Sequence, residues 1–521
     1  MDVFEWVIGL MFAAAILSLI ARRFGLPYPS LLAVGGAAIA FLPHSPDWSL
    51  DPRLALTLFV APVLLDAAYD FSLRDLRRNW FTVAGLAVMA VLATTISVAL
   101  VARWLVPEMS WPIAIALGAI VAPPDAAAAT AVMRQVQLPH RIRTILEGES
   151  LVNDASALLI YRLAIGAALA GGDVTLTSVV PTALIVIAGS VATGWVASFL
   201  VIRLISGITD VPIAIIVQFV GTFGVWILAD NLGLSGVLTI VTFAILASRS
   251  PSRLQTSPQI RIPTNAVWAA AVFVLNALAF VLIGMQLRPI LGRLGTDGVT
   301  NSLTVAISVL VAAIVARFAW VMAYNLFFRA VLPEPRNEDG AGRPTIAGGL
   351  VISWAGMRGI VTLAAAFAIP NTLPDGSPFP YRDLILLCAF GVVLGTLVLQ
   401  GLTLRPLIAA LRLQAPDPVV VEIRRARAEA LRAGIAAIDG NDTLEAKLLR
   451  KELEAAIATS ADETRSADLD ELPGNEIRRI ALAAARKRAN ELWHNATIGD
   501  DAYRALESEF DWGELSAGRE T

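Results

Sequence analysis

Glu147-Gly-Glu149-Ser150-Leu-Val-Asn153-Asp154 sits inside a stretch otherwise apolar enough for a bilayer. Its reading decides the fold. An ionisable side chain at membrane depth is costly and persists where it faces a bundle interior or a water-filled cavity. At about 100° per residue, a helix stacks Glu149 over Asn153 and, beside them, Ser150 over Asp154. Ser156 falls near the same stripe. The run is therefore a polar wall with two acids, facing protein rather than lipid. A merely solvated helix end is the weaker explanation, because other charges accompany this run inside apolar segments.

Composition agrees. The chain has 521 residues, 56% hydrophobic and 16% charged, whereas soluble domains are about half apolar and a quarter charged. After residue 412 there are 22 acids and 15 bases in 109 residues; before it, 21 acids and 25 bases. This predicts a membrane domain over 1–412 and a helical cytosolic tail over 413–521. Apolar residues recur at helical spacing over 420–438, 443–458 and 475–492. Asp439-Gly-Asn441 and Pro473-Gly474 punctuate them. A solvated appendage and a regulatory or dimer-contacting role both remain open for this tail. The single cysteine, Cys388, excludes an internal disulfide framework and a cysteine zinc site. His44, His140 and His494 lack metal-ligand spacing. Residues 3–21 have acids before the apolar run and arginines after it, so they read as a retained helix rather than a leader.

A helix crossing the bilayer needs about 20 apolar residues. Thirteen spans are expected, several short or broken: 4–21, 28–42, 54–69, 80–105, 111–133, 145–170, 175–205, 211–229, 233–247, 266–287, 299–328, 345–369 and 383–411. Fifteen arginines lie in alternate loops, from Arg22 and Arg23 to Arg336 and Arg343. The intervening loops carry five: Arg53, Arg103, Arg288, Arg293 and Arg382. The positive-inside rule then places the amino terminus outside and the tail in the cytoplasm, in a cell inner membrane.

Other charges share the apolar segments. The third span holds Pro62-Val-Leu-Leu-Asp66, just before a basic cluster. The fifth holds Ala122-Pro123-Pro124-Asp125, where two prolines remove amide donors and break the helix. Unwound backbone at this depth must line a cavity or be buried in protein. The eleventh holds Arg317 and the twelfth Trp354-Ala-Gly356-Met-Arg358-Gly359, a second break with a cation in it. Buried ions demand partners. Arg317 and Arg358 are expected to neutralise two of Asp66, Asp125, Glu149 and Asp154, with Arg162 available for a third, leaving at least one carboxylate to titrate or bind a cation.

These four motifs, in this order, resemble those of the sodium/proton exchangers of the cation:proton antiporter-1 family, over about residues 5–410. The Gly148-Glu-Ser-Leu-Val-Asn-Asp154 run is the most specific. The resemblance implies an all-α polytopic fold with two inverted repeats, a core bundle of crossing broken helices and a dimerisation domain, hence a homodimer. It implies exchange of Na⁺, sometimes K⁺ or Li⁺, for H⁺. Carried over by position, Asp154 resembles the acid that alternately holds cation and proton, and Asn153 its partner in the Asn-Asp pair. Ser150 resembles an oxygen ligand, and Asp66 an acid that approaches the ion. Glu149 resembles the acid of a salt bridge to Arg317, and Asp125 the acid at the break with Arg358 as its cationic neighbour. One departure is Pro124, where many relatives have Thr: a backbone carbonyl ligand survives that change, whereas a hydroxyl ligand does not.

Na⁺ is a hard cation that prefers oxygen ligands; Asp154, Ser150, Asp66 and a carbonyl near Pro124 supply them in this reading. If the bundle moves readily only when Asp154 is neutralised, one Na⁺ exchanges for one H⁺ with no net charge moved. The neutral amide of Asn153 fits that stoichiometry. No cofactor beyond the transported ions and no nucleic-acid partner is expected, and the chain reads as a transporter rather than an enzyme. No Gly-x-x-x-x-Gly-Lys-Ser/Thr phosphate loop marks an ATP-driven pump. The alternatives are K⁺/H⁺ antiport, proton-coupled movement of an organic solute beside Tyr161 and Trp354, an ion channel, and a non-transporting sensor.

Overall fold

The computed structural model describes residues 2–43, 52–71, 73–125, 128–129, 138–170, 176–205, 210–249, 258–331, 345–413, 418–440, 443–460 and 475–495, with a few isolated positions. His44, Arg336, Arg343, Asn441 and Pro473-Gly474, used in the readings above, lie outside the described residues.

Helix is what a bilayer demands, because each backbone N–H and C=O must find its partner within the segment. The first unit comprises α1 (Asp2–Phe24), α2 (Tyr28–Ala40), α3 (Pro52–Ala55), α4 (Ala61–Asp70), α5 (Leu73–Ala84), α6 (Val91–Leu105), α7 (Trp111–Val121), α8 (His140–Leu169), α9 (Leu176–Ile205), α10 (Val211–Asn231), α11 (Gly236–Ala247), α12 (Pro258–Met285), α13 (Leu287–Val331), the half-helices α14 (Ile346–Trp354) and α15 (Ile360–Phe367), and α16 (Arg382–Leu411). Two π-helical turns, Leu56–Val60 and Gly85–Ala90, join α3 to α4 and α5 to α6. Among the described residues there is no strand, only an isolated bridge between Thr372 and Pro378. The chain divides into compact units Met1–Gln414 and Ala415–Thr521. In the second, α17 (Pro418–Ala437) packs on α18 (Leu444–Ser460), and α19 (Asn475–His494) follows.

Eight described helices are long and apolar enough to cross a membrane alone. Four more apolar helices, at 28–40, 56–69, 111–121 and 236–247, are shorter, and the expected span 345–369 is split into α14 and α15. Of the expected span 111–133, residues 126–127 and 130–133 lie outside the described residues, and Ala128 and Ala129 between them are helical. One expectation is corrected: residues 288–298 form no loop but continue α13, which runs 45 residues. Pro289 falls in the first turn, where its missing amide breaks no bond within the helix, and the glycines beyond it weaken a helix by only about 1 kcal/mol each.

Burial separates centre from periphery. In α16, 67% of the apolar window is buried, against 22% in α1, α9 and α10. The outer helices turn Phe12, Phe199 and Val220 outward, an apolar surface suited to lipid and hazardous in water. α2 and α12 cross backbone to backbone: a Cβ on Gly36 would meet the Val281 carbonyl, and one on Gly284 the Ala33 carbonyl. Small residues permit this close van der Waals packing, which membrane helices need in place of a hydrophobic drive.

Local signals set the helix starts. Asp210, Ser235 and Thr345 each accept a hydrogen bond from the amide three residues on, at 3.2, 3.3 and 3.0 Å, satisfying an orphan donor of the first turn. Long-range ties join helix ends. Arg405 donates to Gly25 O at 3.1 Å and Asn325 to Thr345 O at 2.9 Å. Arg288 donates to Ala40 O at 3.4 Å and Arg382 to Ile369 O at 3.1 Å. Each tie connects two ends that the arginine alternation assigns to the same side.

Candidate ion site

α8 carries the polar stripe. Its 30 residues contain no proline after the Pro139 that precedes it, so the stripe stays in register. Glu149, Ser150, Asn153 and Asp154 are all buried, and the two acids have opposite surroundings.

Glu149 is fully partnered. Arg317 on α13 grips it with two parallel hydrogen bonds, 2.5 Å to Oε1 and 3.0 Å to Oε2. Such a fork adds geometric specificity to charge. Both side chains are nearly sealed, at 2% and 1% exposure. Arg317 also donates to Ile352 O at 3.0 Å, in the last turn of α14, where carbonyls carry partial negative charge. Gly356 makes room, since a Cβ there would overlap the Arg317 side chain.

Asp154 is the contrast. Neither its carboxylate nor the Ser150 hydroxyl has a hydrogen-bond partner among the described residues. Asn153 donates from Nδ2 to Pro124 O at 3.2 Å, while its Oδ1 is buried without a partner. The Asp125 carboxylate lies within electrostatic range of Asp154. Unpaired buried oxygens are rare in native proteins because each forfeits its hydration. Asn153 Oδ1 is one such atom, and with the Asp154 carboxylate and the Ser150 hydroxyl on the same helix it makes an oxygen-rich stripe that suits a hard cation or a proton.

The two breaks meet beside this stripe. Asp125 N donates to Met357 O at 2.6 Å. The Asp125 carboxylate packs so closely on Gly359 that a Cβ there would collide with it. Gly359 caps the amino end of α15, where a carboxylate faces positive partial charge. Arg358, fully buried, donates from Nε to Val121 O at 3.1 Å, from Nη2 to Ala313 O at 3.4 Å, and from Nη1 to Gly356 O. Its backbone amide donates to Thr396 Oγ1 at 3.0 Å. The described hydrogen bonds of its guanidinium thus run to carbonyls, including the last of α7, rather than to one of the carboxylates that the charge bookkeeping expected it to neutralise, or to Asp125, the neighbour that the resemblance implied. The physical reason is the break itself, which exposes carbonyl ends that a cation stabilises. Arg162 also departs from that bookkeeping: it holds the partly exposed Asp230 at 3.3 Å and Leu234 O at 3.0 Å. Asp66 is half-buried on α4, which packs against α8.

Sequence reasoning missed several partners. Thr396 had no signal, being one of two threonines on the apolar α16. The Asn153–Pro124 bond could not be read either, because the missing amides of Pro123 and Pro124 free carbonyls one turn earlier rather than that of Pro124 itself.

These features define a class: a multi-pass helical membrane protein in which two broken helices meet beside a buried carboxylate that has no hydrogen-bond partner among the described residues. A model of the transmembrane sodium/hydrogen exchanger family matches residues 9–410, and the chain belongs to that family. It is 31% identical over 446 residues to a sodium, potassium, lithium and rubidium/H⁺ antiporter of Bacillus pumilus, covering 84% of this chain and 66% of that one. The chain thus spans just under two thirds of that relative's length. A low-affinity Na⁺/H⁺ antiporter of Synechocystis is 28% identical over 421 residues, covering 80% of this chain and 76% of the relative. The fold is similar to that of a sodium proton antiporter from Methanocaldococcus jannaschii solved at pH 8, with a TM-score of 0.60 and 16% identity, covering 79% of this chain and 99% of that one.

Proposed function

We propose that the protein is a secondary antiporter that exchanges a monovalent cation, Na⁺ first among candidates, for H⁺ by alternating access. The observation that carries this reading is the difference between two acids on α8: Glu149 is bound by Arg317, whereas Asp154 has no cation or hydrogen bond among the described residues. Asp154 is the shared site, holding either the cation or the proton. Ser150 and Asp66 supply further oxygens, and Pro124 a carbonyl with one lone pair left after the Asn153 bond. Glu149 with Arg317, and Arg358 with the carbonyl ends, keep the surrounding frame charge-balanced.

Moving an ionised Asp154 through a low-dielectric barrier is costly, so the bundle moves when a cation or a proton neutralises it. The stoichiometry is one for one and electroneutral. Because proton and cation compete, the half-saturating cation concentration rises as pH falls. The membrane is the cell's inner membrane, with the amino terminus outside, the tail in the cytoplasm, and two copies forming a homodimer from inverted repeats. The name of the Bacillus pumilus relative supports K⁺ as a second cargo.

The test is exchange in proteoliposomes with a trapped pH dye. Na⁺, K⁺ and Li⁺ are added in turn to wild type and Asp154→Asn. Cation-driven dye recovery in wild type that vanishes in the variant is expected. Recovery retained by a folded Asp154→Asn protein would remove Asp154 from the mechanism, and a response that generates current would remove electroneutrality.

A further inference from the structure

The π-helical turn Gly85–Ala90 stands outside the four motifs, yet it packs against α8 and α13, the helices that carry Asp154 and Arg317. A π turn inserts one residue into the helical ladder, bonds each carbonyl to the amide five residues on, and recurs at functional sites. Here two of its carbonyls also accept from side chains of other helices. Ser156 Oγ lies 2.6 Å from Ala87 O, and Trp320 Nε1 donates to Gly85 O at 3.2 Å. Ser156 is two residues beyond Asp154 on α8. Trp320 is three residues beyond Arg317 on α13, nearly one turn along. Immediately after the turn, Val91 is buried against Ala157 and against Ala122, the residue before the Pro123-Pro124 break.

Each contact alone is ordinary. A serine in a helix commonly bonds the carbonyl three or four residues back, and Ser156 Oγ does lie 2.8 Å from Asn153 O. A buried indole N–H usually finds an acceptor. Their convergence on one irregular turn is the unusual feature. In a regular helix the Gly85 and Ala87 carbonyls would be occupied by amides four residues on.

We infer that this π turn sets the rotation of α8 and α13 about the ion site, and that Ser156 and Trp320 are positioning residues acting through the Ala87 and Gly85 carbonyls. Neither touches the cation. Ser156 fixes where Asp154 and Asn153 point relative to the Pro124 carbonyl, and Trp320 fixes the Arg317 fork on Glu149. The inference rests on the exchanger reading above.

The test uses the full chain in proteoliposomes, with cation binding measured in parallel as thermal stabilisation of the purified protein by Na⁺. Ser156→Ala should raise the half-saturating cation concentration about five- to tenfold, the equivalent of one lost buried hydrogen bond, and shift the pH profile of exchange. Its maximal rate should stay within about twofold of wild type. Ser156→Thr, which keeps the hydroxyl, should restore both. Trp320→Phe should act in the same direction, and the double variant should fall short of the product of the singles, since both act through one turn. Wild-type half-saturation and pH profile in Ser156→Ala would overturn the inference. So would equal losses in Ser156→Ala and Ser156→Thr, or a fallen maximal rate with unchanged half-saturation, which marks a purely structural role. Wild type inert in both transport and binding would instead overturn the exchanger reading and this inference with it.

Discussion

Two acids stand five residues apart on α8, and their surroundings differ in kind. Glu149 is locked by both nitrogens of the Arg317 fork. Asp154, just as deeply buried, has no such partner among the described residues. A buried pair is structural: breaking one side leaves an uncompensated charge. A buried carboxylate without a protein partner is expensive unless something that arrives and departs completes it. On the proposed reading, burial alone does not mark a transport acid; burial without a cationic partner among the described residues does.

The strongest way to break this comparison is Asp154→Asn. It should remove exchange outright while leaving the melting temperature unchanged or higher, because an amide is cheaper to bury than a carboxylate; thermal melting alongside the transport assay checks both. Next comes the structural pair. Arg317→Met should cost about 3–5 kcal/mol in stability, and adding Glu149→Gln should recover much of that, since no charge then remains buried. Guanidinium-free melting curves of the three proteins in one detergent read this out, and a milder loss in Arg317→Met than in the double variant would contradict it. Asn153→Ala removes the bond to Pro124 O and should raise the half-saturating cation concentration about tenfold, the scale of a buried hydrogen bond lost with its partner left bare. Exchange should persist, because Asp154 remains. The smallest effect belongs to Arg162→Ala. Its ion pair with Asp230 is 46% and 38% exposed, so stability should move by no more than about 1 kcal/mol and exchange kinetics should stay as in wild type.

Much of this architecture was legible in residues. The stripe at 149–154 follows from the helical period alone, and Pro123-Pro124 and Gly356-x-x-Gly359 announced breaks because they remove donors or side chains. What was hidden has a physical reason in each case. The π turns occupy Leu-Thr-Leu-Phe-Val and Gly-Leu-Ala-Val-Met-Ala, sequences that suit an α-helix equally well; the ladder shifts there in answer to neighbours. Arg358 was read as the mate of a carboxylate, since charge counting sees only formal charges. Its described guanidinium bonds go instead to carbonyl ends of broken helices, whose partial charges exist only once the helices are broken. The glycines had two further causes that no local pattern shows: Gly356 yields to Arg317, and Gly359 yields to Asp125.

The most direct measurement is proton release on cation binding. Purified protein in weakly buffered detergent solution, with a pH indicator, is titrated with NaCl near the midpoint of the exchange pH profile. If cation and proton share Asp154, Na⁺ binding expels a proton from wild type and expels none from Asp154→Asn. Na⁺ binding to wild type with no proton released, or release that persists in Asp154→Asn, would contradict the shared carboxylate.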